Sequence, residues 1–417
     1  MDKLEVFGAN KLRGHVKISG SKNASLPILV STLLSKKSVY LRNIPKVKDI
    51  ETMLSLLNYL GSKIIIKKSL LEINNSKISK IVAPYNLVKT MRAGILVLGP
   101  LLARFNKAIV SFPGGCLIGS RPIDIHLNAL AKLGVRYKFI KGYVHATAPN
   151  GLVGTKIKFK KISVGATENL IIAASSAEGE TTLSNCAIEP EIQDLINFLN
   201  KMGSKIKWIA KRKIKIIGVK SFKKINYSIM FDRIEAGTML IAGALIKGNL
   251  NIRSINPKII KTEIDILKKI GVKIKTLKNQ INVSGGKKIK STNISTSPYP
   301  GFPTDLQAQI MVLLCKANKK STIKEKIFEN RFMHVPELNR MGAKIKINGN
   351  KASIQGNINF EGSEVTASDL RASVSLVLAA LSARGKSIIH RIYHLDRGYE
   401  DIEKKLKKIG IKIKRKT

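Results

Sequence analysis

The sequence has few cysteines and no long apolar run. Its three cysteines, Cys116, Cys186 and Cys315, are odd in number and widely spaced, which argues against a disulfide framework or a zinc knuckle. No apolar run reaches the ~18 residues that cross a bilayer, and the N-terminus has no apolar signal segment. These absences predict a cytoplasmic protein of a reducing compartment, with no membrane partner.

Acidic and aromatic residues are also scarce. Lys and Arg number 74 against 27 Asp and Glu, which gives a formal net charge of +47, and aromatic residues make up 5% of the chain. Such a charge is typical of proteins that bind nucleic acid, but base stacking needs aromatic side chains. Many lysines alternate with isoleucine, as in residues 205–207 and 412–414, which is the period of a half-buried strand. We therefore interpret most of the charge as solvated strand faces and predict no nucleic-acid partner.

The sequence contains a sixfold internal repeat. The chain has 417 residues, and 44% of them are hydrophobic. The repeated unit is an amphipathic stretch, followed by an apolar residue and glycine, followed by a short strand. It recurs at intervals of 68 to 73 residues. The glycines are Gly61, Gly134, Gly203, Gly271, Gly342 and Gly410. A glycine just past a helix can take the left-handed conformation that ends it. Because the period exceeds that of common solenoids, each repeat is predicted to be a subdomain with its own sheet.

Each repeat also contains a second helix that is apolar nearly all round. These helices are predicted to begin near Lys22, Lys89, Thr167, Asp232, Asp305 and Asp369. A helix without a polar face belongs inside a domain, so each repeat is predicted to place a buried helix under a sheet. Six repeats divide into two α/β domains of three, with a boundary near residues 228–230. The leading segment, 4–19, is compatible with either domain.

Basic residues occur where several apolar helices start, among them Lys22, Arg92 and Arg371. A cation at a helix N-terminus works against the helix dipole, so it needs another reason to be there. Ordinary helix-end charge is one interpretation. An anionic ligand on the backbone N–H groups is the other, and we favour it for these three residues together.

Residues 112–126 form the most specific local motif, with the sequence FPGGCLIGSRPIDIH. Two prolines and three glycines predict a loop. A thiol between glycines and near Arg121 is expected to have a lowered pKa and high reactivity. Cys186 and Cys315, by contrast, lie in apolar surroundings and are expected to be small buried hydrophobes.

Eight motifs are spread along the chain, at residues 19–24, 89–93, 112–126, 161–167, 302–307, 328–334, 369–372 and 391–398. In these motifs the chain resembles the enolpyruvyl transferase family, in particular the branch that uses UDP-N-acetylglucosamine. The resemblance covers essentially all of the chain. It implies two inside-out α/β barrel-like domains, each of three repeats with buried helices wrapped by sheets, joined at a cleft. It also implies domain boundaries of 22–229 for the N-terminal domain, with 1–21 plus 230–417 forming the C-terminal one.

The resemblance implies a reaction: transfer of the enolpyruvyl group of phosphoenolpyruvate to the 3-hydroxyl of UDP-N-acetylglucosamine, with release of phosphate. This is the first committed step of peptidoglycan synthesis. Cys116 is expected to protonate the methylene carbon and to form a covalent adduct with phosphoenolpyruvate or with the epoxide fosfomycin. Asp305, at a predicted helix start, is the expected base for the 3-hydroxyl, and Lys22 and Arg397 are expected to be catalytic as well.

The resemblance also implies the residues that bind each substrate. For phosphoenolpyruvate they are Lys22, Asn23, Arg121 and Arg397, with Arg331 and Arg371 toward the carboxylate. For UDP-N-acetylglucosamine they are Asn23, Arg92, Arg121, Pro122, Ile123, Asp124, Ile125, Lys161, Ser163, Val164, Gly165, Asp305 and Ile327. Backbone N–H groups of residues 163–165 suit a diphosphate.

Two rival functions and one rival site stay open at this level. A sister enzyme of the family acts on shikimate 3-phosphate, but it lacks the Gly-Gly-Cys loop. A basic nucleic-acid-binding protein on a degenerate enzyme scaffold is a rival from another class. His390 and His394 have a spacing that can bind metal on a helix, but no third ligand is nearby in the sequence, so no metal or cofactor is predicted. The expected partners are two small acidic substrates, and a monomer is expected.

Overall fold

The structure is a computed structural model that describes residues 2–114, 123–285 and 288–416. The described chain divides into two compact units. The N-terminal unit comprises residues 20–114 and 123–230, and the C-terminal unit comprises 2–19, 231–285 and 288–416. Each unit has a separate hydrophobic core.

The strands and helices follow one another in a regular order. The strands are β1 (Lys3–Phe7), β2 (Leu12–Lys17), β3 (Val39–Arg42), β4 (Lys63–Lys67), β5 (Leu70–Asn74), β6 (Val82–Ala83), β7 (Lys107–Ser111), β8 (Arg136–Ile140), β9 (Tyr143–Thr147), β10 (Lys156–Lys158), β11 (Glu180–Ser184), β12 (Lys205–Ala210), β13 (Lys213–Ile217), β14 (Ile225–Ser228), β15 (Gly248–Arg253), β16 (Lys273–Leu277), β17 (Gln280–Gly285), β18 (Asn293–Ser295), β19 (Ser321–Lys324), β20 (Ile345–Asn348), β21 (Lys351–Ile354), β22 (Glu364–Thr366), β23 (Lys386–His390) and β24 (Ile413–Lys416). The α-helices are α1 (Lys22–Ser31), α2 (Lys48–Leu60), α3 (Tyr85–Val88), α4 (Leu98–Phe105), α5 (Asp124–Lys132), α6 (Val164–Ala174), α7 (Pro190–Met202), α8 (Arg233–Leu245), α9 (Lys261–Lys269), α10 (Gln307–Cys315), α11 (Val335–Arg340), α12 (Leu370–Leu381), α13 (Tyr393–Asp396) and α14 (Ile402–Lys408). Short 3₁₀ helices are Thr32–Leu34, Arg92–Val97, Pro257–Ile260 and Thr304–Leu306.

The predicted sixfold repeat is confirmed by the sheets. Within the described ranges there are six four-stranded sheets, and all six share one pattern of pairing. In the sheet β10-β11-β13-β12, β10 pairs parallel with β11, and the remaining neighbours pair antiparallel. Three sheets borrow a strand from far along the chain. β14 pairs parallel with β3, β2 pairs parallel with β15, and β1 lies between β23 and β24.

Glycine ends the outer helix of every repeat, as predicted. The six glycines that mark the repeat have φ angles between +94° and +112°. They follow α2, α5, α7, α9, α11 and α14. Because a left-handed residue cannot continue a right-handed helix, each chain turns there into its short strand.

The apolar helices lie inside the units. All nine residues of α10 and all twelve of α12 are buried, and α10 packs against both α8 and α12. In the N-terminal unit α6 packs against α1 and α4. The predicted starts near Lys22, Asp232 and Asp369 are confirmed, with the two aspartates as N-caps.

The predicted helix start near Lys89 is wrong. A 3₁₀ helix, Arg92–Val97, precedes α4, which begins only at Leu98. Pro100 explains in part why α4 starts later than predicted, because proline has no N–H to donate to a carbonyl four residues earlier. Asp305 likewise lies in a 3₁₀ turn just ahead of α10, and Thr167 lies within the first turn of α6. No helix in the described ranges has the length and apolarity of a membrane span.

Candidate active site

Asp305 lies between two buried arginines in the C-terminal unit. Its Oδ1 accepts a hydrogen bond from Arg331 Nη2 at 2.8 Å, and its Oδ2 accepts one from Arg371 Nη2 at 2.7 Å. The arginine side chains are 5% and 6% exposed, whereas that of Asp305 is 27% exposed. The structure therefore brings together the predicted base and the two cations predicted to hold a carboxylate.

Helix starts place two members of this cluster. Asp305 belongs to the 3₁₀ turn that leads into α10, and Arg371 is in the first turn of α12. Asp369 caps α12, because its Oδ1 accepts from the backbone N–H groups of Arg371 at 2.8 Å and Ala372 at 3.1 Å. A carboxylate cap at this end also offsets the unfavourable position of a cation in the first turn.

The Arg371 guanidinium keeps its charge in this interior. Burial works against the charged form, but the negative charges of Asp305 and Asp232, together with the hydrogen bond to Asp305, outweigh burial and raise the pKa of Arg371. A buried cation of this kind requires an anionic partner. Asp305 is that partner here, and a substrate carboxylate has the same charge and geometry.

Glu325 holds the loop that carries Ile327 beside the Asp305 turn, and it has no counterpart in the sequence analysis. The side chain is 2% exposed. Its carboxylate accepts from Thr296 Oγ1 at 2.8 Å, from Thr304 Oγ1 at 2.9 Å and from the backbone N–H of Ile327 at 2.8 Å. Because Thr304 precedes Asp305 directly, one buried carboxylate fixes both predicted sugar-nucleotide contacts of this unit. No local pattern marks Glu325, since Thr296 and Thr304 lie 29 and 21 residues away in the sequence.

Arg397 follows the short helix α13 and is half-buried. It lies near His394, whose pKa is lowered to about 4 by burial and by the charges of Arg391 and Arg397, against the opposing charge of Asp369. His390 instead contacts Glu364, with 2.5 Å between Nε2 and Oε1. In the described part of the chain no group of three or more His, Cys, Asp or Glu side chains has the arrangement of a metal site.

In the N-terminal unit Lys22 is the first residue of α1 and is paired with Asp49. Lys22 Nζ lies 3.1 Å from Asp49 Oδ2, and the two side chains are 12% and 8% exposed. Ser21 caps the helix by accepting from Ala24 N at 3.2 Å, and Asn23 is half-buried. Asp49 was not predicted as the partner of Lys22, because the two residues lie 27 positions apart.

The start of α6 carries the predicted diphosphate contacts. Ser163 is the N-cap and accepts from Ala166 N at 3.3 Å. Val164 is 37% exposed and Lys161 is exposed. Backbone N–H groups at such a terminus are suited to bind phosphate oxygens. Ile123, Asp124 and Ile125, by contrast, lie at the start of α5.

His126 brings the starts of α5 and α6 together. The side chain of Asn169 accepts from Gly99 N at 2.9 Å through Oδ1, so its Nδ2, 3.2 Å from His126 Nδ1, is the donor in that pair. Nδ1 of a neutral His126 is therefore the acceptor, and Nε2 carries the proton. Burial, followed by the charge of Arg92, lowers the pKa of His126 to about 3. A side chain at Gly165 would come within 3.4 Å of Nε2, so glycine keeps the space there open.

Three glutamates of this unit also lie near one another. Burial, followed by the charges of Glu191 and Glu189, raises the pKa of Glu168 well above its ordinary value. Glu189 and Glu191 lie at the start of α7, where a negative charge is favourable to the helix dipole. Their effect on Glu168 could not be predicted, because Glu168 is on a different helix.

Three of the predicted site residues, Cys116, Arg121 and Pro122, lie outside the described residues. The other two cysteines are buried and free, as predicted. Burial raises the pKa of both the Cys186 and the Cys315 thiol to about 12. Neither is therefore a reactive thiol at neutral pH.

Comparisons with known proteins agree with the fold and its motifs. The family model described as EPSP synthase (3-phosphoshikimate 1-carboxyvinyltransferase) matches residues 6–406. A UDP-N-acetylglucosamine 1-carboxyvinyltransferase of Pelagibacter ubique (strain HTCC1062) is 71% identical over 415 residues, covering 100% of both chains. An enzyme of the same name from Endomicrobium trichonymphae is 48% identical over 414 residues, covering 99% of both chains.

Solved structures show the same fold at low sequence identity. The enolpyruvyl transferase NikO from Streptomyces tendae superposes with a TM-score of 0.90 at 22% identity, covering 100% of this chain and 99% of that one. An EPSP synthase from Acinetobacter baumannii gives 0.77 at 16% identity, with 100% of both chains covered.

Proposed function

The chain belongs to the enolpyruvyl transferase family, and we propose that it transfers the enolpyruvyl group of phosphoenolpyruvate to the 3-hydroxyl of UDP-N-acetylglucosamine, releasing phosphate. The observation that carries this proposal is the full-length identity of 71% to a relative named for that reaction. The reaction starts peptidoglycan synthesis, and we place it in the cytoplasm. We further propose a monomer with two domains, residues 22–229 and residues 1–21 plus 230–417.

The chemistry is an addition followed by an elimination. In the addition, the methylene carbon of phosphoenolpyruvate gains a proton while the sugar oxygen bonds to the adjacent carbon and loses its own proton. The resulting tetrahedral ketal then loses phosphate and one methyl proton, which restores the double bond. Both steps need a proton acceptor, a proton donor and cations for the phosphate and the carboxylate.

Asp305 is the proposed base for the sugar 3-hydroxyl. Its partial exposure, 27% for the side chain, leaves the carboxylate accessible, while two arginines favour its ionised form. A guanidinium has five N–H donors, so Arg331 and Arg371 can hold a substrate carboxylate with one edge and Asp305 with another. Cys116 is the proposed acid at the methylene carbon and the site of the covalent adduct.

The remaining contacts divide by substrate. We propose that Lys22, Arg121 and Arg397 bind the phosphate of phosphoenolpyruvate, with Asn23 beside them. The start of α6 suits the diphosphate of the sugar nucleotide. The positive end of the helix dipole lies there, at Ser163 to Gly165, and the nearby Arg92 and Lys161 add positive charge that attracts phosphate. The remaining sugar-nucleotide contacts proposed are Pro122, Ile123, Asp124, Ile125 and Ile327.

A phosphate-release assay with phosphoenolpyruvate tests the function. Turnover is expected with UDP-N-acetylglucosamine and none with shikimate 3-phosphate, measured in parallel. Turnover with shikimate 3-phosphate alone would replace our assignment with that of the sister enzyme. A steeply salt-dependent affinity for duplex DNA or RNA without any turnover would instead favour the nucleic-acid-binding alternative.

A further inference from the structure

A buried polar cluster lies directly beneath Arg371 and Asp305. It consists of Thr238 on α8, Gln309 on α10 and Tyr399 just after α13, and these side chains are at most 3% exposed. Tyr399 Oη lies 2.9 Å from Thr238 Oγ1 and 3.3 Å from Arg371 Nη1. Gln309 Nε2 donates to the carbonyl oxygen of Asp305 at 2.9 Å. The cluster therefore contacts the side chain of Arg371 and the backbone of Asp305.

The direction of each hydrogen bond follows from counting protons. Thr238 donates its single hydroxyl proton to the carbonyl of Ile234, at 2.8 Å. The proton between Thr238 and Tyr399 must then come from the phenol. Burial raises the pKa of Tyr399, so the phenol retains that proton at neutral pH. Its oxygen is left as an acceptor, facing the Nη1–H of Arg371.

We infer that Tyr399, oriented by Thr238, is a positioning residue that fixes the Arg371 guanidinium so that its other nitrogen faces Asp305 and the carboxylate of phosphoenolpyruvate. This inference rests on the proposed function. Arg371 Nη1 is held by the phenol, and Nη2 is held by Asp305. The guanidinium also lies over the Tyr399 ring, with 5.6 Å from Cζ to the ring centroid, which adds a favourable cation–π contact.

A role in packing alone does not account for this arrangement. Phenylalanine would fill nearly the same volume and has no hydroxyl to bury. Burying a hydroxyl is unfavourable unless the group is hydrogen-bonded. Gln309 Nε2 also lies 3.3 Å from both Thr238 Oγ1 and Tyr399 Oη. The Gln309 amide therefore connects the cluster to the backbone of Asp305. The same cluster thus contacts both Asp305, the proposed base, and Arg371.

The test compares Tyr399→Phe with Tyr393→Phe. Tyr393 offers a matched control, because it is six residues away, is 44% exposed and accepts from Arg391 at 2.8 Å. We expect Tyr399→Phe to raise the KM for phosphoenolpyruvate about tenfold or more, as a buried guanidinium N–H loses its acceptor. The KM for UDP-N-acetylglucosamine is expected to stay within about twofold, and the control to match the wild type. A fall in the folded fraction lowers kcat but leaves KM unchanged, so KM separates positioning from stability.

A second pair of variants covers the case in which Tyr399→Phe does not fold. Thr238→Val removes the acceptor of the phenol proton, whereas Thr238→Ser keeps it. We expect the valine variant to raise the KM for phosphoenolpyruvate at least threefold and the serine variant to restore it. Equal KM values for phosphoenolpyruvate in Tyr399→Phe and Tyr393→Phe, or in both Thr238 variants, would overturn the inference.

The wild-type enzyme separates this inference from the proposed function. If the wild type turns over only with shikimate 3-phosphate, the proposed function fails. The variants are then compared on that acceptor, because phosphoenolpyruvate is common to both reactions. If the wild type turns over with neither acceptor, the affinity for phosphoenolpyruvate is measured by titration. Weaker binding by Tyr399→Phe than by Tyr393→Phe supports the inference, and equal binding contradicts it.

Discussion

The three cysteines are predicted to differ by orders of magnitude in reactivity toward an alkylating reagent. Cys186 and Cys315 have no exposed surface. Burial raises the pKa of each thiol to about 12, despite the opposing charges of Arg212 near Cys186 and Lys316 beside Cys315. Only the thiolate reacts as a nucleophile, so the pKa sets an upper limit on the rate of each cysteine.

The size of the difference follows from the ionised fractions. At pH 8 a thiol with a pKa near 12 is ionised in roughly one molecule in ten thousand, whereas an unperturbed thiol with a pKa of about 8.5 is ionised in about one in four. The ratio is about two thousand, before any contribution from the need to open the fold. Because Arg121 lies five positions from Cys116 in the sequence, the Cys116 thiol is expected to be at least as ionised as the unperturbed one.

The assay is alkylation of the native protein with iodoacetamide at pH 8, followed by intact mass and peptide mapping. One adduct is expected, on Cys116, and Cys116→Ser should take up none while folded. In denaturant the wild type should take up three adducts and the variant two, which shows that the buried thiols are intact. Native labelling of Cys186 or Cys315 at a rate similar to that of Cys116 would refute the reasoning. The same experiment with fosfomycin tests whether Cys116 is the site of its covalent adduct.

Three further predictions concern charge and backbone. Asp305→Asn should lower kcat by about a thousandfold, because the proposed base is removed at almost unchanged shape, and wild-type phosphate release in this variant would contradict the assignment. Gly20→Ala should lower the free energy of unfolding by about 3 kcal/mol, since a Cβ there would lie 1.6 Å from the carbonyl oxygen of Asn43; a urea titration showing a loss below about 1 kcal/mol would count against it. Burial, opposed by Lys405, raises the pKa of Glu235 from 4.5 to about 7. Because the folded state then binds more protons than the unfolded chain between these values, stability should fall by about 3 kcal/mol as the pH rises through that window. Urea titrations at pH 4.5 and 8 should show a smaller fall for Glu235→Gln, and an equal fall would exclude Glu235 as its cause.

The repeat was predictable because its signals are local. Each left-handed glycine ends a helix through its own φ angle, and the amphipathic residues before it lie within one or two turns. The pairing of strands that are far apart in the sequence was not predictable in the same way. β14 pairs with β3 across more than 180 residues, and any exposed-edge strand with the same alternation would satisfy the sequence pattern equally well. The sequence therefore predicts six sheets without predicting which chain segments complete them.

The pairing of site residues is subject to the same limit. Asp305 was predicted as a base and Arg331 and Arg371 as cations, but the contacts between them were not predicted. Their separations are 26 and 66 residues, so only the fold of the repeat brings them together. Glu325 and Tyr399 were missed because their role depends on buried hydrogen bonds from other segments, which leave no periodic trace in the sequence.

Acidic and basic side chains are distributed differently between the interior and the surface. Eleven acidic side chains are buried in the described residues, but only three basic ones, and these are the arginines Arg233, Arg331 and Arg371. Several of the buried acids cap helices or pair with cations, and no lysine in the described residues is buried. A lysine at the surface is solvated whatever binds to it, so its charge identifies no partner. A buried arginine needs an anion, and two of the three meet at Asp305. Those two residues, rather than the formal charge of +47, carry the argument for a small anionic substrate.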